Sequence, residues 1–168
     1  GGAIYNAGTM TLTTSEVTGN YAKFTGGGGV LNVGTLTLTG SMVSDNSATF
    51  DGGGIYNSGL LNLINATVDG NSAGPGFLGG GIFNINAANL TNTTISGNDS
   101  HFGGGFFNAL GASTLINTTI TGNLGVIGAG GIYSHGGTVD LTNSVVVGNQ
   151  TFGTNAEVAG GPLTGSNN

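Results

Sequence analysis

A two-part motif recurs six times along the chain and limits the architectures available to it. The first part joins small residues to an apolar pair, as in GGGIYN at residues 52–57, and the second closes on Asn, as in VDGN at residues 68–71. The closing residues follow one another at intervals of 26, 25, 27, 25 and 26 positions, and they are Asn20, Asn46, Asn71, Asn98, Asn123 and Asn149. A fixed period of this size predicts a solenoid, in which each repeat forms one turn stacked on the next.

Aligning the six copies reveals apolar columns. One position is leucine in every copy, and its members are Leu12, Leu38, Leu63, Leu90, Leu115 and Leu141. The residue two places earlier is mostly apolar, and this period-two alternation is typical of strands with one buried face. A second column is β-branched throughout, and it contains Val17, Val43, Val68, Ile95, Ile120 and Val146. No window shows a helical period, so we predict an all-β fold.

The predicted fold is a parallel β-helix, or β-solenoid, of about six coils of 25–26 residues, with three short strands in each coil. Residues 1–152 contain the six copies. Residues 153–168 are predicted to form an incomplete seventh coil or C-terminal tail, which could join subunits.

Asn columns are expected at the corners of the coils, because Asn tolerates left-handed backbone angles and its amide can hydrogen-bond to the next Asn in register. The column at Asn20 to Asn149 is the first such ladder, and a second is expected at Asn65, Asn92, Asn117 and Asn143. An aromatic column is also expected to stack in the loops before the glycine clusters, and its members are Phe24, Phe50, Phe77, Phe102, Ile127 and Phe152.

Composition excludes several partners. The net charge is −6 and Lys23 is the single cation, so phosphate-rich nucleic acids and anionic membrane surfaces are not expected to bind. The chain has no Cys, which removes disulfide and thiolate chemistry from consideration. It contains no apolar run near 18 residues, so membrane insertion by a helix is not expected.

The paired motifs resemble the repeats of the polymorphic outer membrane protein type. The resemblance rests on Gly-Gly-Ala/Gly-Ile followed by apolar-x-x-Asn, and it covers nearly the whole chain. One departure concerns the second motif, where the family usually has Phe and this chain has Val or Ile at positions 17, 43, 68, 95, 120 and 146. The resemblance implies a right-handed parallel β-helix of the pectin-lyase-like superfold, export to the cell surface or beyond, and a surface, adhesive or filament role.

Catalytic and metal sites are not predicted. A glycosidase needs two carboxylates about 5–9.5 Å apart, whereas the seven acids here fall in different columns. His101 and His135 also lie in different columns, and a metal site needs converging ligands. We therefore expect no enzyme activity, no cofactor and no metal.

The leading hypothesis is a structural protein, extracellular or on a cell surface, that stacks head to tail with copies of itself into a filament or surface fibre. Open strand edges at the two ends favour this, because an exposed edge can pair with another strand. The residues expected at the junction are Gly1, Gly2, Ile4 and Tyr5 of one subunit and Glu157, Val158 and Leu163 of the next.

The alternative is an adhesin or passenger-type binding module that recognises a host or glycan surface. Ice binding through alternate threonines such as Thr35, Thr37 and Thr39, and an enzyme acting on polysaccharides, rank below these two.

Overall fold

The computed structural model describes residues 1–152 and 156–168, and that part of the chain is built from 26 parallel strands with no helix. The strands are numbered in chain order and form four sheets, A to D, because each coil contributes one strand to each sheet in turn. This confirms the predicted β-solenoid.

Sheets A and B each hold seven strands, because the residues after 155 add one strand to each. Sheet A contains β1 (Ile4–Asn6), β5 (Val30–Asn32), β9 (Ile55–Asn57), β13 (Ile82–Asn84), β17 (Phe106–Asn108), β21 (Ile132–Ser134) and β25 (Val158–Gly160). Sheet B contains β2 (Thr9–Thr13), β6 (Thr35–Thr39), β10 (Leu60–Ile64), β14 (Ala87–Thr91), β18 (Ala112–Ile116), β22 (Thr138–Thr142) and β26 (Leu163–Ser166).

Sheets C and D each hold six strands. Sheet C contains β3 (Glu16–Thr18), β7 (Met42–Ser44), β11 (Thr67–Asp69), β15 (Thr94–Ser96), β19 (Thr119–Thr121) and β23 (Val145–Val147). Sheet D contains β4 (Tyr21–Ala22), β8 (Ser47–Ala48), β12 (Ser72–Ala73), β16 (Asp99–Ser100), β20 (Leu124–Gly125) and β24 (Gln150–Thr151).

The register places like residues directly over one another. Leu38 pairs with Leu12 on one side and with Leu63 on the other, and the column continues in register to Leu141. The side chains of Leu38 and Leu63 are almost completely buried. A continuous apolar core therefore runs along the axis, and it contains both the leucines of sheet B and the β-branched column of sheet C.

Each coil has four strands, where the sequence pattern predicted three. The additional strand lies in sheet D and is two residues long. This is too short to show an alternation of apolar and polar residues in the sequence. Its inward residue is small, as at Ala22, Ala48 and Ser100, and is buried in each of these coils. A small side chain here lets the glycine corner of the coil approach the strand closely.

The glycine cluster and the closing Asn of one repeat are in contact, which explains why the two motifs occur together. A Cβ added at Gly54 would lie 2.9 Å from the Asn71 side chain, and one at Gly81 would lie 3.0 Å from Asn98. A Cβ at Gly53 would lie 2.3 Å from the Ser72 backbone. In the inner coils only glycine therefore fits at these two corner positions, whereas the exposed Ala3 occupies the Gly54 column in the first coil.

The two Asn columns differ in whether their Asn residues have a left-handed backbone conformation. Asn65, Asn92, Asn117 and Asn143 have φ of 51–52°, as the sequence predicted, and Gly40 takes φ of 56° in the same column. The closing Asn residues do not have positive φ. The residue before each of them does, as at Gly70 (62°) and Asp45 (54°). In that column Asn is required for its hydrogen bonds rather than for its backbone angle.

The close approach at the corner predicts that Gly53→Ala is strongly destabilising. Its methyl group would meet the backbone of Ser72 and Gly80, and overpacking against atoms that cannot move costs about 3 kcal/mol. Gly8→Ala is the matched control, because no heavy atom lies within 4 Å of its added Cβ. Urea unfolding should show a change within about 0.5 kcal/mol for the control, and equal midpoints for the two variants would contradict the packing described.

Candidate interaction surfaces

A buried ladder of amides runs through the corner between sheets C and D, and we call it the corner ladder. It consists of Asn20, Asn46, Asn71, Asn98, Asn123 and Asn149, the column predicted from sequence. In each step, both the backbone N–H and the side-chain amide of one Asn donate to the Oδ1 atom of the next. For Asn71 and Asn98 both distances are 2.9 Å. The Asn-to-Asn hydrogen bonds of this ladder therefore all run towards the C-terminal end, while the Asn71 amide also donates back to the Val43 carbonyl of the preceding coil at 3.0 Å.

A second buried ladder joins sheets A and B. Its side-chain amides also donate towards the C-terminal end, at 2.7 Å from Asn6 to Asn32 and from Asn32 to Asn57, and at 2.6 Å from Asn57 to Asn84. No buried side-chain nitrogen or oxygen atom of the described residues lacks a hydrogen-bond partner. The buried amides are thus fully satisfied, which is the condition for placing them beside an apolar core.

Glu157 ends the corner ladder by taking the place of the next Asn. Its carboxylate accepts from the Gly148 N–H at 3.0 Å, the Asn149 N–H at 3.1 Å and the Asn149 amide at 2.8 Å. The sequence hypothesis assigned Glu157 to a subunit junction, and this internal role was not foreseen. The feature of the sequence that could have indicated this role is an acceptor side chain eight residues after the last Asn of the corner ladder.

Asn168 provides the equivalent acceptor at the corner between sheets B and C. It accepts from the Ser144 N–H at 3.0 Å through Oδ1, in the position where Ser144 Oγ accepts from Thr118 one coil earlier. Asn167 has φ of 57° and continues the left-handed column of Asn143. The last residues therefore keep the register of the repeat. Residues 153–155, where the predicted tail begins, lie outside the described part.

The residues predicted for a subunit junction lie at the two ends of the rod. Ile4 and Tyr5 belong to β1, the first strand of sheet A, while Val158 belongs to β25, the last strand of that sheet. Tyr5 is 62% exposed. Gly1 and Gly2 lie against the backbone of the second coil, and burial lowers the pKa of the Gly1 amino group. Leu163 begins the last strand of sheet B.

The core itself is incompletely covered at both ends. Three apolar side chains of the first coil and three of the last are only partly buried against it, and they are Ile4, Met10, Leu12, Val146, Val158 and Leu163. The corresponding side chains of the middle coils, such as Leu63 and Ile95, are completely buried. Each end therefore presents an apolar surface bordered by strand edges.

A side groove lies beside sheet A in the later coils, and we call it the aromatic groove. Its volume is about 370 Å³, and its lining comprises Leu78, Phe83, Phe102, Phe107, Ala109, Tyr133 and His135. The rings of Phe83, Phe107 and Tyr133 stack along the axis with centroids 5.4 and 5.3 Å apart. Because the rings cover one another's faces, the groove presents mainly ring edges.

The aromatic column predicted in the loops is discontinuous. Phe50 and Phe77 meet edge to face with centroids 5.0 Å apart, but the next coil pairs Phe102 with Leu78 rather than with Phe77. The loop around Pro75 lengthens this repeat and moves Phe77 out of phase. Phe102 instead packs its edge on Tyr133, with the centroids 5.3 Å apart, and so becomes one wall of the aromatic groove.

The register brings Ser72, Asp99 and His101 to a second groove, which sequence reasoning missed. Ser72 donates directly to Asp99 at 3.1 Å, and the His101 ring packs against Phe102. A catalytic triad requires His between the Ser and the acid, so this geometry does not form one. Burial raises the pKa of Asp99, and the Ser72 hydrogen bond opposes that rise.

Asp51 is a half-buried loop carboxylate that accepts a hydrogen bond from the backbone of the next coil. Burial raises its pKa, while the hydrogen bond from the Leu78 N–H, at 2.9 Å, opposes the rise. Nowhere in residues 1–152 and 156–168 do three or more His, Cys, Asp or Glu side chains gather as metal ligands. Within the same ranges, no helix has the length and apolar character needed to cross a membrane.

The fold and its ladders define this chain as a parallel β-solenoid. Comparison with known proteins found no matching family model, no matching curated protein and no matching solved structure.

The corner ladder predicts that Asn71→Ala is severely destabilising. The change removes the acceptor of the Asn46 N–H and the side-chain donor to the Val43 carbonyl, and buried unpaired groups cost about 1–3 kcal/mol each. We expect a loss of about 3 kcal/mol or more in urea unfolding. Asn92→Gly is the control, because its ladder is exposed and Gly40 occupies the same column. Similar losses for both variants would show that burial of the corner ladder is not what matters.

Proposed function

We propose that this chain is a structural, extracellular β-solenoid protein whose subunits stack end to end into a filament or surface fibre. The observation that carries the proposal is the partial exposure of the core at both ends, at Ile4, Met10 and Leu12 and at Val146, Val158 and Leu163. Apolar surface bordered by strand edges is favourable to bury against a matching surface. A contact between two different ends does not close on itself and so extends into a fibre.

The register of the repeat supports a defined junction. β1 and β2 are the first strands of sheets A and B, and β25 and β26 are their last strands. Stacking a second copy would set Ile4 and Tyr5 over Val158, and Gly1 and Gly2 near Glu157. Leu163 would meet the first strand of sheet B. The core columns of sheets A and B would then continue across the junction.

The polarity of the ladders supports a head-to-tail rather than a symmetric contact. In the two buried Asn ladders the Asn-to-Asn hydrogen bonds run towards the C-terminal end, and Glu157 accepts the last of those in the corner ladder. The exposed ladder, as from Asn92 to Asn65, runs the opposite way. The last donors of the corner ladder and the Ser144 N–H therefore have acceptors within the chain. The first coil offers acceptors such as Asn20 Oδ1, so the two ends differ chemically.

The cellular setting and the family are part of this proposal. The paired motifs support an assignment to the polymorphic outer membrane protein type of repeat, and that resemblance is the basis for expecting an extracellular or cell-surface location. The low charge, with one cation and seven acids, supports contacts with proteins or glycans in preference to nucleic acids or anionic membranes.

The second candidate function is an adhesin-type module that recognises a host or glycan surface, and the aromatic groove favours it. Sugars usually stack on exposed ring faces, whereas Phe83 and Phe107 are only 6% and 4% exposed. The groove therefore suits an apolar or aromatic group of a host-surface molecule better than the face of a sugar. Such a site would use Phe102 and Tyr133 as walls.

End-to-end stacking predicts that Tyr5→Lys lowers self-association and that Leu110→Lys leaves it unchanged. Tyr5 is 62% exposed at the end of the rod, and Leu110 is 67% exposed in a loop of the fifth coil. Both changes replace an exposed apolar side chain by a cation, so they differ mainly in position. Sedimentation velocity and electron microscopy of concentrated protein should show fibres or oligomers for the wild type and Leu110→Lys. Monomeric wild-type protein at all concentrations would refute the proposal.

The second candidate predicts that Ala109→Glu abolishes binding to a host-surface ligand. Ala109 lines the aromatic groove, and a carboxylate there would be desolvated by any apolar ligand, at a cost of several kcal/mol. Thr138→Glu is the control, because Thr138 is exposed and is absent from the groove lining. Arrays of glycans and of aromatic-rich host peptides provide the measurement. Equal binding by both variants would place recognition elsewhere.

A further inference from the structure

A groove beside sheet D holds Asp99, and we call it the Asp99 groove. It forms because a long loop lies beside a short one. Ser72 and Gly81 are nine positions apart in the third coil, whereas Asp99 and Gly105, which occupy the same columns, are six apart in the fourth. The extra length of the first loop makes one wall of a recess of about 440 Å³ beside the shorter loop.

The wall of the groove is a type II turn. The Phe77 N–H donates to the Gly74 carbonyl at 3.0 Å, Pro75 takes the second position, and Gly76 has the φ of 86° that the third position requires. Proline and glycine at these positions fix the backbone of the turn. Val126, from the fifth coil, adds further apolar surface to the lining. A ligand that enters the groove therefore meets apolar surface on Pro75 and Val126.

Asp99 offers one unoccupied oxygen atom to the groove. Its Oδ2 accepts from the Ser72 hydroxyl at 3.1 Å, and among the described residues no other hydrogen bond reaches this carboxylate. Ser72 Oγ keeps lone pairs of its own, because a hydroxyl can accept while it donates. Asp99 Oδ1 and Ser72 Oγ are therefore two neighbouring acceptors. The His101 ring packs edge to face on Phe102, with the centroids 5.2 Å apart, and this contact holds its place in the lining.

No lysine or arginine of the chain balances the charge of Asp99. The one lysine, Lys23, lies in the first coil, where its Nζ atom is 5.3 Å from the centre of the Phe24 ring. The sheet D strands of the first and fourth coils, β4 and β16, are three steps apart, a distance of about 14 Å. Burial raises the pKa of Asp99, because the charged carboxylate is incompletely solvated in the groove. An incoming cation would provide the missing favourable contact.

We infer that the Asp99 groove binds a primary ammonium group carried on an aliphatic chain, which is the chemistry shared by a free alkylamine and a lysine side chain of another protein. The nitrogen would donate to Asp99 Oδ1 and Ser72 Oγ, and the methylene groups would pack on Pro75 and Val126. This ligand and this surface differ from those of the end-to-end contact and of the aromatic groove, so the inference does not rest on the proposed function.

The acceptors of the groove favour an ammonium group over other cations. A guanidinium group pairs best with both oxygens of a carboxylate, and Ser72 already occupies Oδ2 of Asp99. A calcium ion needs six or more oxygen ligands, whereas Asp99 is the only carboxylate in the lining. An ammonium group is a compact donor, so one charged acceptor and a neighbouring hydroxyl suit it.

The probe is n-butylamine, which is protonated at neutral pH and has the length of a lysine side chain. Its control is n-butanol, which has the same aliphatic chain without the charge. We expect NMR titrations of isotope-labelled protein to shift the amide resonances of Ser72, Gly76 and Asp99, with a dissociation constant of about 1–10 mM for the amine and binding at least about fivefold weaker for the alcohol. Equal binding of the two compounds, or no shifts at these residues up to about 50 mM amine, would overturn the inference.

The matched protein variants are Asp99→Asn and Asp140→Asn. Each removes one negative charge, but Asp140 is exposed in a strand of sheet B, away from the groove. Asp99→Asn should fold, because its amide oxygen can still accept from Ser72 and the raised pKa of Asp99 shows that folding favours the uncharged form. Circular dichroism and the unfolding midpoint check that it does. We expect about tenfold weaker n-butylamine binding for Asp99→Asn and a change below about twofold for Asp140→Asn; equal constants for the two variants would refute the site.

A second pair of ligands, Nα-acetyl-lysine methylamide and its Nε-acetyl form, identifies the source of the ammonium group. Binding of the first at least as tight as that of n-butylamine indicates a lysine side chain of another protein, and binding of n-butylamine alone indicates a free alkylamine. Either result supports the ammonium site. Equal binding of the Nε-acetyl form, or shifts produced by methyl glycosides and not by n-butylamine, would show that the groove recognises neutral polar groups and that the inference is wrong.

Discussion

The contact between a corner glycine and a buried Asn amide is the constraint on which the rest of this structure depends. From the second coil to the sixth, the glycine just before the sheet A strand packs against the side chain of the Asn that closes the repeat, as Gly54 does against Asn71. That contact brings sheets A and C close enough for a narrow core, and it keeps the Asn in line with the next one. A larger residue at the corner would push the coil open. A residue other than Asn would leave buried backbone groups unpaired.

The same ladder gives the rod a direction. Because the backbone N–H and the side-chain amide of each corner Asn donate to the Oδ1 atom of the next Asn, the Asn-to-Asn hydrogen bonds have one direction along the axis and the two ends of the ladder differ. Glu157 ends this series with a carboxylate, a stronger acceptor than an amide oxygen. At the C-terminal end the polar corners thus have acceptors, whereas Val146, Val158 and Leu163 leave the apolar core partly exposed. The proposed stacking uses that difference.

Much of the fold could be predicted from sequence, because the signals that determine it are repeated. The leucine column and the Asn column recur in each of the six copies, and parallel stacking puts them in register without further information. The fourth strand was missed because a strand of two residues is too short to show an alternation of apolar and polar positions. The aromatic column was predicted to stack, but the loop at Pro75 shifts Phe77, and Phe102 pairs with Leu78. A change in loop length alters register locally, and the residue types alone do not show by how much.

The sequence by itself determined the coil, its core columns and its buried amide ladder, because residues that recur at a fixed spacing can be recognised in the sequence. Only the tertiary structure decided what happens where the repetition stops. It showed that Glu157 and Asn168 cap two corners, and that Phe102 and Tyr133 form a groove. These features depend on side chains from different coils meeting at one place, and their positions in space follow from packing rather than from spacing along the chain.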